Sequence, residues 1–167
     1  RLTRYQRTER VKGAFMRRPI IAANWKLNKS LAEAKEYARK FGDLAGRFRD
    51  RDIVLAVPYP FIASVASILE ESRIETASQE IFFEESGAFT GTVSAAMVKD
   101  VGATWTLVGH SERRQHFGET LETSAKRMRA ALGAGVKPML CVGETLAERE
   151  AGRTAEVVGQ QLEAALG

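Results

Sequence analysis

The sequence predicts an α/β fold built on a parallel β-sheet. From Pro19 onward, short apolar runs alternate with longer segments of helical periodicity, which gives five strand-then-helix units in succession. Most of the runs are apolar nearly throughout, as is typical of strands covered on both faces. Consecutive units of this kind favour parallel strands joined by right-handed crossovers. Periodicity alone leaves open whether the sheet closes into a barrel.

Five short segments are predicted as strands. They are PIIAAN (19–24), DIVLAV (52–57), IETASQ (74–79), TWTLVG (104–109) and KPMLCVG (137–143). In parallel α/β folds the functional site lies at the carboxyl ends of the strands. The residues at and directly after the end of each segment are therefore the first candidates for a site.

Capping signals mark where the predicted helices begin and end. Ser30 and Glu33 have the spacing of a capping box ahead of residues 31–41, and Gly42 or Gly46 provides the stop. Further helical patterns cover residues 60–72, 93–103, 119–135 and the segment after Thr145. Each pattern lies between two predicted strands or follows the last one, as the alternation requires.

The composition indicates one soluble domain without a disulfide framework. The chain has 167 residues, 44% hydrophobic and 28% charged, and no apolar stretch approaches the ~20 residues of a membrane helix. The single cysteine, Cys141, cannot form an intramolecular disulfide, and two separated histidines make no metal cluster. These features predict a cytoplasmic protein with no membrane partner and no bound metal.

The positive charge is concentrated at the N-terminus. Residues 1–15 contain five basic side chains and one glutamate, so they carry the whole net charge of +4. Residues 16–167 hold equal numbers of basic and acidic side chains. We therefore predict a basic leader at 1–15 that is not part of the fold, with Met16 as the natural start. Such an arm could also contact nucleic acid or a membrane, or act as a transit peptide.

Side chains capable of chemistry stand at the ends of four predicted strands. Asn24 and Lys26 follow the first strand, Gln79 ends the third, His110 follows the fourth and Glu144 follows the fifth. A lysine, an asparagine and a histidine on one rim could bind an anion and polarise a carbonyl group.

Each candidate also has a purely structural interpretation. A histidine at a strand end is often solvated or hydrogen-bonded within the fold, and Lys26 could be a solvated loop charge. Glu112 and Arg113 could neutralise each other, and Cys141 within an apolar strand is typical of inert packing. The residue types alone leave these alternatives open.

The loop segments contain no glycine-rich nucleotide-binding motif of the Walker or Rossmann type. The segment GAFTGTVS (87–94) contains glycines but lies between the third strand and the next helix, so we predict a protruding loop. Its Phe89 and Thr90 would suit a contact with a partner, although a plain surface loop fits the same residues.

Three long segments resemble the triosephosphate isomerase family. They are AANWKLNKS (22–30), SGAFTGTVSAAMVKDVGATWTLVGHSERRQHFGE (86–119) and KPMLCVGETLAEREAGRTAEVV (137–158). They occur in the family's order, and the resemblance extends from about Arg18 to Gly167. It implies a (β/α)8 TIM barrel, truncated here to about five βα units in a partial domain over residues 16–167.

The resemblance also implies an activity and partners. Members of the family interconvert dihydroxyacetone phosphate and glyceraldehyde 3-phosphate in glycolysis and gluconeogenesis, by proton transfer through an enediolate, without a cofactor. They act as homodimers, and by resemblance the loop at 87–92, with Thr90 as a dimer contact, reaches into the second subunit. The expected partners are thus a small phosphorylated triose and a second copy, with no nucleic acid.

Five site residues are carried over from the resemblance. His110 would be the electrophile, Lys26 and Asn24 would bind the substrate, and Ser111 and Glu112 would support the site. This family is the standard example of a neutral imidazole that polarises the substrate carbonyl while a glutamate moves the proton. Enolisation needs such a donor where negative charge grows on oxygen, and a preorganised donor contributes on the order of 3 kcal/mol.

The family's catalytic glutamate has no counterpart in this sequence. By resemblance it lies after the sixth strand in a Tyr-Glu-Pro-Val-Trp type of motif, which does not occur here. A complete barrel of this type has ~250 residues, whereas five units would leave two open sheet edges and uncovered apolar faces. We therefore expect the chain alone to have no appreciable isomerase activity.

Three functions stay open from the sequence. The first is a triosephosphate isomerase of which this chain is a fragment. The second is a non-catalytic remnant or interaction module of the same fold, using the Thr90 loop or the basic leader. The third is another phosphosugar enzyme built on the same barrel.

Overall fold

Residues 17–167 are described by a computed structural model, in which five segments form one parallel sheet in the order β1-β2-β3-β4-β5. The strands are β1 (Ile20–Asn24), β2 (Asp52–Val57), β3 (Ile74–Ser78), β4 (Ala103–Val108) and β5 (Lys137–Leu140). Each strand therefore pairs with the next one along the chain. The predicted leader at 1–15, and Met16, lie outside the described residues.

Seven α-helices among the described residues connect or follow the strands. They are α1 (Leu31–Ala45), α2 (Ile62–Leu69), α3 (Ala95–Asp100), α4 (Ser111–His116), α5 (Leu121–Ala134), α6 (Leu146–Glu150) and α7 (Thr154–Leu166). The predicted capping box of Ser30 and Glu33 is confirmed, and Gly46 is the residue that ends α1. Equivalent boxes start α5 at Thr120 and α6 at Thr145.

Several helices and strands have bounds that differ from those of the sequence patterns. A 3₁₀ turn at Tyr59–Phe61 takes up Pro60, so α2 starts only at Ile62. The last helical pattern divides into α6 and α7 because Gly152 has a φ of 71°, a left-handed conformation that stops a helix. Strand β5 ends at Leu140, three residues earlier than expected.

The core has two apolar layers, one on each face of the sheet. On the outer face, residues such as Leu55, Ile53 and Val65 are buried between β2 and the helices. On the inner face, Ala56 and Trp105 belong to a smaller buried cluster with neighbouring strand residues. This two-sided burial explains why the strands read as continuous apolar runs.

The pairing register aligns the carboxyl ends of the strands at one rim. Asn24 of β1 pairs with Ala56, and Val57 pairs with Ser78 of β3. Ser78 in turn pairs with Thr106, two residues before the end of β4. The polar residues that follow β1, β3 and β4 are consequently brought to the same edge of the sheet.

The sheet is open along β1 and β5 in the described part of the chain. Each of these strands pairs on one side only, as the five-unit interpretation predicted. Ile20 and Ile21 of β1 are 48% and 52% exposed, whereas Ile53, the β2 residue that pairs with Ile21, is buried. Apolar residues of β1 thus lie at an edge that has no partner strand within residues 17–167.

The outer core layer gives a stability prediction. Leu55 is fully buried, so Leu55→Ala should lower the free energy of unfolding by about 2–5 kcal/mol through lost burial and a residual cavity. Urea denaturation measures the change. Leu44→Ala is the matched control because Leu44 is 67% exposed on α1, and it should change stability by less than about 1 kcal/mol. Equal effects of the two substitutions would contradict this description of the core.

Candidate active site

An open cleft of about 260 Å³ lies at the carboxyl rim of the sheet. It brings together four of the five site residues carried over from the resemblance, and a cavity of this size suits a small ligand rather than a drug-sized one. Its lining is Asn24, Lys26, Leu27, Pro58, Gln79, His110, Glu112, Arg113 and Phe117. Larger grooves occur elsewhere, but one of about 620 Å³ beside α2 is lined by carboxylates without any cation.

Lys26 is held in the loop between β1 and α1. Its φ of 54° is in the left-handed region, which is uncommon for a residue with a side chain. The preceding Trp25 anchors the loop, since it is 7% exposed and packs edge-to-face on Tyr37. Its backbone N–H donates to Ala56 O at 3.0 Å. The N–H of Lys26 donates to Asn24 Oδ1 at 2.9 Å. Asn24 therefore organises the loop that presents the lysine.

His110 is separated from the end of β4 by Gly109 and caps the short helix α4. Its Nδ1 accepts a hydrogen bond from the N–H of Glu112 at 3.3 Å. A neutral imidazole that accepts at Nδ1 carries its proton on Nε2. The fold thus gives His110 the tautomer in which Nε2–H is the available donor at the cleft.

Glu112 pairs with the lysine and lies close to the histidine. Its Oε1 lies 2.8 Å from Lys26 Nζ, and its Oε2 lies 3.5 Å from His110 Nδ1. The hydrogen bond from the Lys26 ammonium is the main cause that lowers the pKa of the Glu112 carboxyl. Glu112 therefore stays ionised and holds the Lys26 ammonium at the cleft.

Gln79 is the residue whose role sequence reasoning missed. Its side-chain amide donates to Asn24 Oδ1 at 3.1 Å and to the carbonyl oxygen of Lys26 at 2.9 Å, tying the end of β3 to the lysine loop. One signal could have found it. Gln79 has the same parity as Ala77, which faces the inner cluster of the sheet, so alternation directs its side chain into the rim.

Arg113 pairs with Glu119 and not with Glu112, so the two neighbouring residues do not neutralise each other. Arg113 Nε donates to Glu119 Oε2 at 2.9 Å, and the Glu119 side chain is 1% exposed. Glu119 Oε1 accepts from the N–H of Gly109 at 2.9 Å and from Ser124 Oγ at 3.2 Å. This buried carboxylate was not recognised from the sequence, because nothing local marks Glu119 as buried.

Three further predicted residues lie outside the cleft lining. Ser111 is exposed at the first position of α4, and Thr90 is exposed in the protruding loop. That loop is closed by a hydrogen bond from Phe82 N to Val93 O at 2.8 Å. Cys141 is half-buried just beyond β5, and burial raises the pKa of its thiol, as suits inert packing.

Residues 17–167 contain no group of three or more histidine, cysteine or acidic side chains placed to hold a metal ion. In the same part of the chain, no helix has the length and apolar character required to cross a bilayer.

Comparison with known proteins matches this chain to one family. The family model described as triosephosphate isomerase matches residues 19–167. The chain belongs to the triosephosphate isomerase family. A triosephosphate isomerase of Moorella thermoacetica is 46% identical over 147 residues, which are 88% of this chain and 59% of that relative. One from Paracidovorax citrulli is 47% identical over 152 residues, covering 90% and 61% respectively.

A solved structure supports the same family relationship at the level of the fold. The crystal structure of triosephosphate isomerase from Bartonella henselae superposes with a TM-score of 0.83 at 35% identity. The match covers 90% of this chain and 62% of that one. The predicted TIM-barrel fold is thus confirmed, and the chain spans about three-fifths of the length of the relatives it matches.

The Lys26–Glu112 pair makes a prediction about pH. Because the Glu112 pKa is lowered in the folded state, the pair stabilises the fold above the carboxyl's unfolded pKa. That contribution is lost as the pH falls through the lower, folded pKa. Lys26→Met should raise the Glu112 pKa toward its ordinary value, as followed by carboxyl ¹³C NMR titration. Lys40→Met, which breaks an ion pair with Glu36 on α1, should leave the Glu112 titration unchanged. An unaltered Glu112 pKa in Lys26→Met would contradict the pairing.

Proposed function

We propose that this chain supplies the electrophile and the substrate-binding groups of a triosephosphate isomerase. The observation that carries the proposal is the convergence of His110, Lys26 and Asn24 on one cleft at the carboxyl rim of the sheet. The substrate would be a small phosphorylated triose, interconverted between ketose and aldose through an enediolate. Family membership supports this assignment.

The roles follow from the chemistry of enolisation. Removal of a carbon-bound proton leaves negative charge on the neighbouring carbonyl oxygen, and a fixed donor lowers the energy of that charge. The Nε2–H of His110 is such a donor, since its Nδ1 is already occupied by a backbone N–H. The Lys26 ammonium adds a positive charge for the phosphate and the developing oxyanion. Asn24 and Glu112 keep that ammonium at the cleft.

The cleft lacks a suitable carboxylate base among the described residues. Glu112 is the one carboxylate in its lining, and its pKa is lowered by the hydrogen bond from Lys26. A base works best with a pKa near the operating pH, so a lowered pKa makes Glu112 a weak proton acceptor. We therefore assign the base to a glutamate supplied by the remaining part of a complete barrel. Residues 17–167 would then supply the electrophile and the substrate-binding groups, and the remaining part of the barrel would supply the base.

The proposal includes the assembly and location expected for the family. We infer a homodimer in which the exposed loop around Thr90 contacts the second subunit, and a cytoplasmic site of action. The exposed side chains of residues 84–92 support the loop as a contact surface, and the packing of Phe89 on Phe82 anchors it to the chain. Analytical ultracentrifugation of a completed barrel, with and without Thr90→Arg, tests the dimer.

Activity should depend on completion of the barrel. We expect the 167-residue chain alone to show no appreciable isomerase activity in a coupled assay. Mixing it with the C-terminal two-fifths of the Moorella thermoacetica relative, the part this chain does not match, should restore turnover. A stable complex without turnover would contradict the proposed function and favour a non-catalytic module. Turnover by the chain alone would contradict the assignment of the base to the remaining part of the barrel.

His110→Gln should remove most of the activity of the completed barrel. Loss of one preorganised donor to a developing oxyanion reduces kcat by about 10²–10³-fold. His116→Gln is the control, because His116 is the other histidine and lies at the end of α4, outside the cleft lining. Circular dichroism should show both variants folded. Wild-type kcat in His110→Gln would refute the role of the imidazole.

Lys26→Ala should reduce kcat/KM of the completed barrel. A hydrogen bond to a charged group is worth about 1.5–3 kcal/mol, which corresponds to roughly a ten- to hundredfold loss. Steady-state kinetics with Lys40→Ala as a surface control measure the effect. An unchanged kcat/KM in Lys26→Ala would remove the lysine from the site.

A further inference from the structure

We propose that Glu119 is a positioning residue for His110, because its buried carboxylate holds the chain on both sides of the histidine. The inference rests on the proposed role of His110 as the electrophile. It adds a residue that lies behind the cleft and outside its lining. Glu119 acts through the backbone and through Arg113, so it has no contact with the substrate in this assignment.

The first contact fixes the residue before the histidine. Glu119 Oε1 accepts from the N–H of Gly109 at 2.9 Å. Gly109 has a φ of 71°, and a Cβ atom there would lie 3.3 Å from both Cys141 O and Ser124 Oγ. The backbone turn at the end of β4 is therefore tight, and the carboxylate takes up its N–H. This turn sets the direction in which the chain leaves the strand toward His110.

The second contact fixes the helix after the histidine. Glu119 Oε2 accepts from Arg113 Nε at 2.9 Å, and the N–H of Glu119 donates to the carbonyl oxygen of Arg113 at 3.2 Å. Arg113 lies in α4, whose first residues receive the cap from His110. The N–H of Arg113 donates to His110 O at 2.8 Å. A single side chain thus holds residues 109 and 113, with the imidazole between them.

The surrounding charges leave Glu119 little freedom to move. Its side chain is 1% exposed, and Arg127 Nε lies 3.9 Å from Oε2. Glu80 Oε2 lies 3.8 Å from both Arg113 and Arg127, so two arginines and two glutamates balance in charge. Tyr59 Oη donates to Glu80 Oε1 at 2.5 Å, and burial, together with the neighbouring Glu80 carboxylate, raises the pKa of this phenol. The cluster is consequently held from several directions.

The cluster also connects the His110 turn with the lysine loop. Glu80 directly follows Gln79, which donates to Asn24 and to the carbonyl oxygen of Lys26. Displacement of Arg113 would therefore disturb the positions of both His110 and Lys26, the two residues that the proposed reaction uses. A buried charge cluster that served stability alone would not require contacts with both flanks of one imidazole.

The test reads the geometry of His110 directly, without substrate. The described residues contain two histidines, so ¹⁵N NMR of the imidazole rings reports His110 with His116 as an internal reference. In the wild-type chain the two His110 ring nitrogens should show well-separated resonances, as one neutral tautomer requires. Glu119→Gln keeps an acceptor for Gly109 but places an amide N–H₂ against Arg113 Nε. We expect the two His110 resonances to converge in this variant while His116 stays unchanged.

Two comparison variants complete the design. Glu122→Gln removes an exposed carboxylate from the first turn of α5 and should leave both histidines as in the wild type. Glu119→Asp keeps the charge and the acceptors, and should recover part of the separation that Glu119→Gln loses. If Glu119→Gln does not fold, Arg113→Lys tests the same contact between residues 113 and 119. Lysine keeps the positive charge but lacks the guanidinium Nε–H that donates to Glu119 Oε2.

The outcomes are separable from those of the proposed function. Unchanged His110 resonances in a folded Glu119→Gln chain, or in Arg113→Lys, would overturn the positioning role. A completed barrel without turnover would contradict the proposed function, whereas the positioning role is decided by the His110 resonances of Glu119→Gln and Arg113→Lys. Selective convergence at His110 with recovery in Glu119→Asp supports it.

Discussion

The parallel backbone ladder is the constraint on which the rest of this structure depends. Asn24 lies on β1 and Gln79 follows β3, two strands that do not pair with each other but share β2 as a neighbour. Because every crossover returns the chain to the same end of the sheet, residues 55 positions apart come within hydrogen-bond distance. The cleft is thus a consequence of strand direction, and its side chains are placed by rigid elements before any loop contributes.

Side-chain hydrogen bonds then convert this rough proximity into a defined arrangement. One layer of contacts, made by Asn24, Gln79 and Glu112, controls the lysine loop. A deeper layer centred on Glu119 controls the turn that carries His110. The two layers meet where Glu80 follows Gln79, so the rim behaves as one connected polar network. Buried networks of this kind rigidify a site when each member has its partners.

Much of this fold was visible in the sequence, and the rest was hidden for physical reasons. Apolar runs and caps located all five strands and the start of α1, because burial on both faces and orphan N–H groups leave local signals. The split at Gly152 was missed, since a glycine within a helical pattern does not reveal its φ. Family resemblance supplied the candidate site residues, four of which line one cleft. Alternation along β3 points to Gln79 but not to its partners, and the role of Glu119 depends on tertiary contacts that no local pattern encodes.

The backbone at Lys26 has a consequence for how this loop would respond to selection. A left-handed conformation costs a residue with a side chain roughly 1–2 kcal/mol, whereas glycine adopts it freely. Selection for folding stability alone would therefore replace Lys26 by glycine and discard the ammonium. At position 26, backbone stability and the proposed chemistry therefore favour different residues.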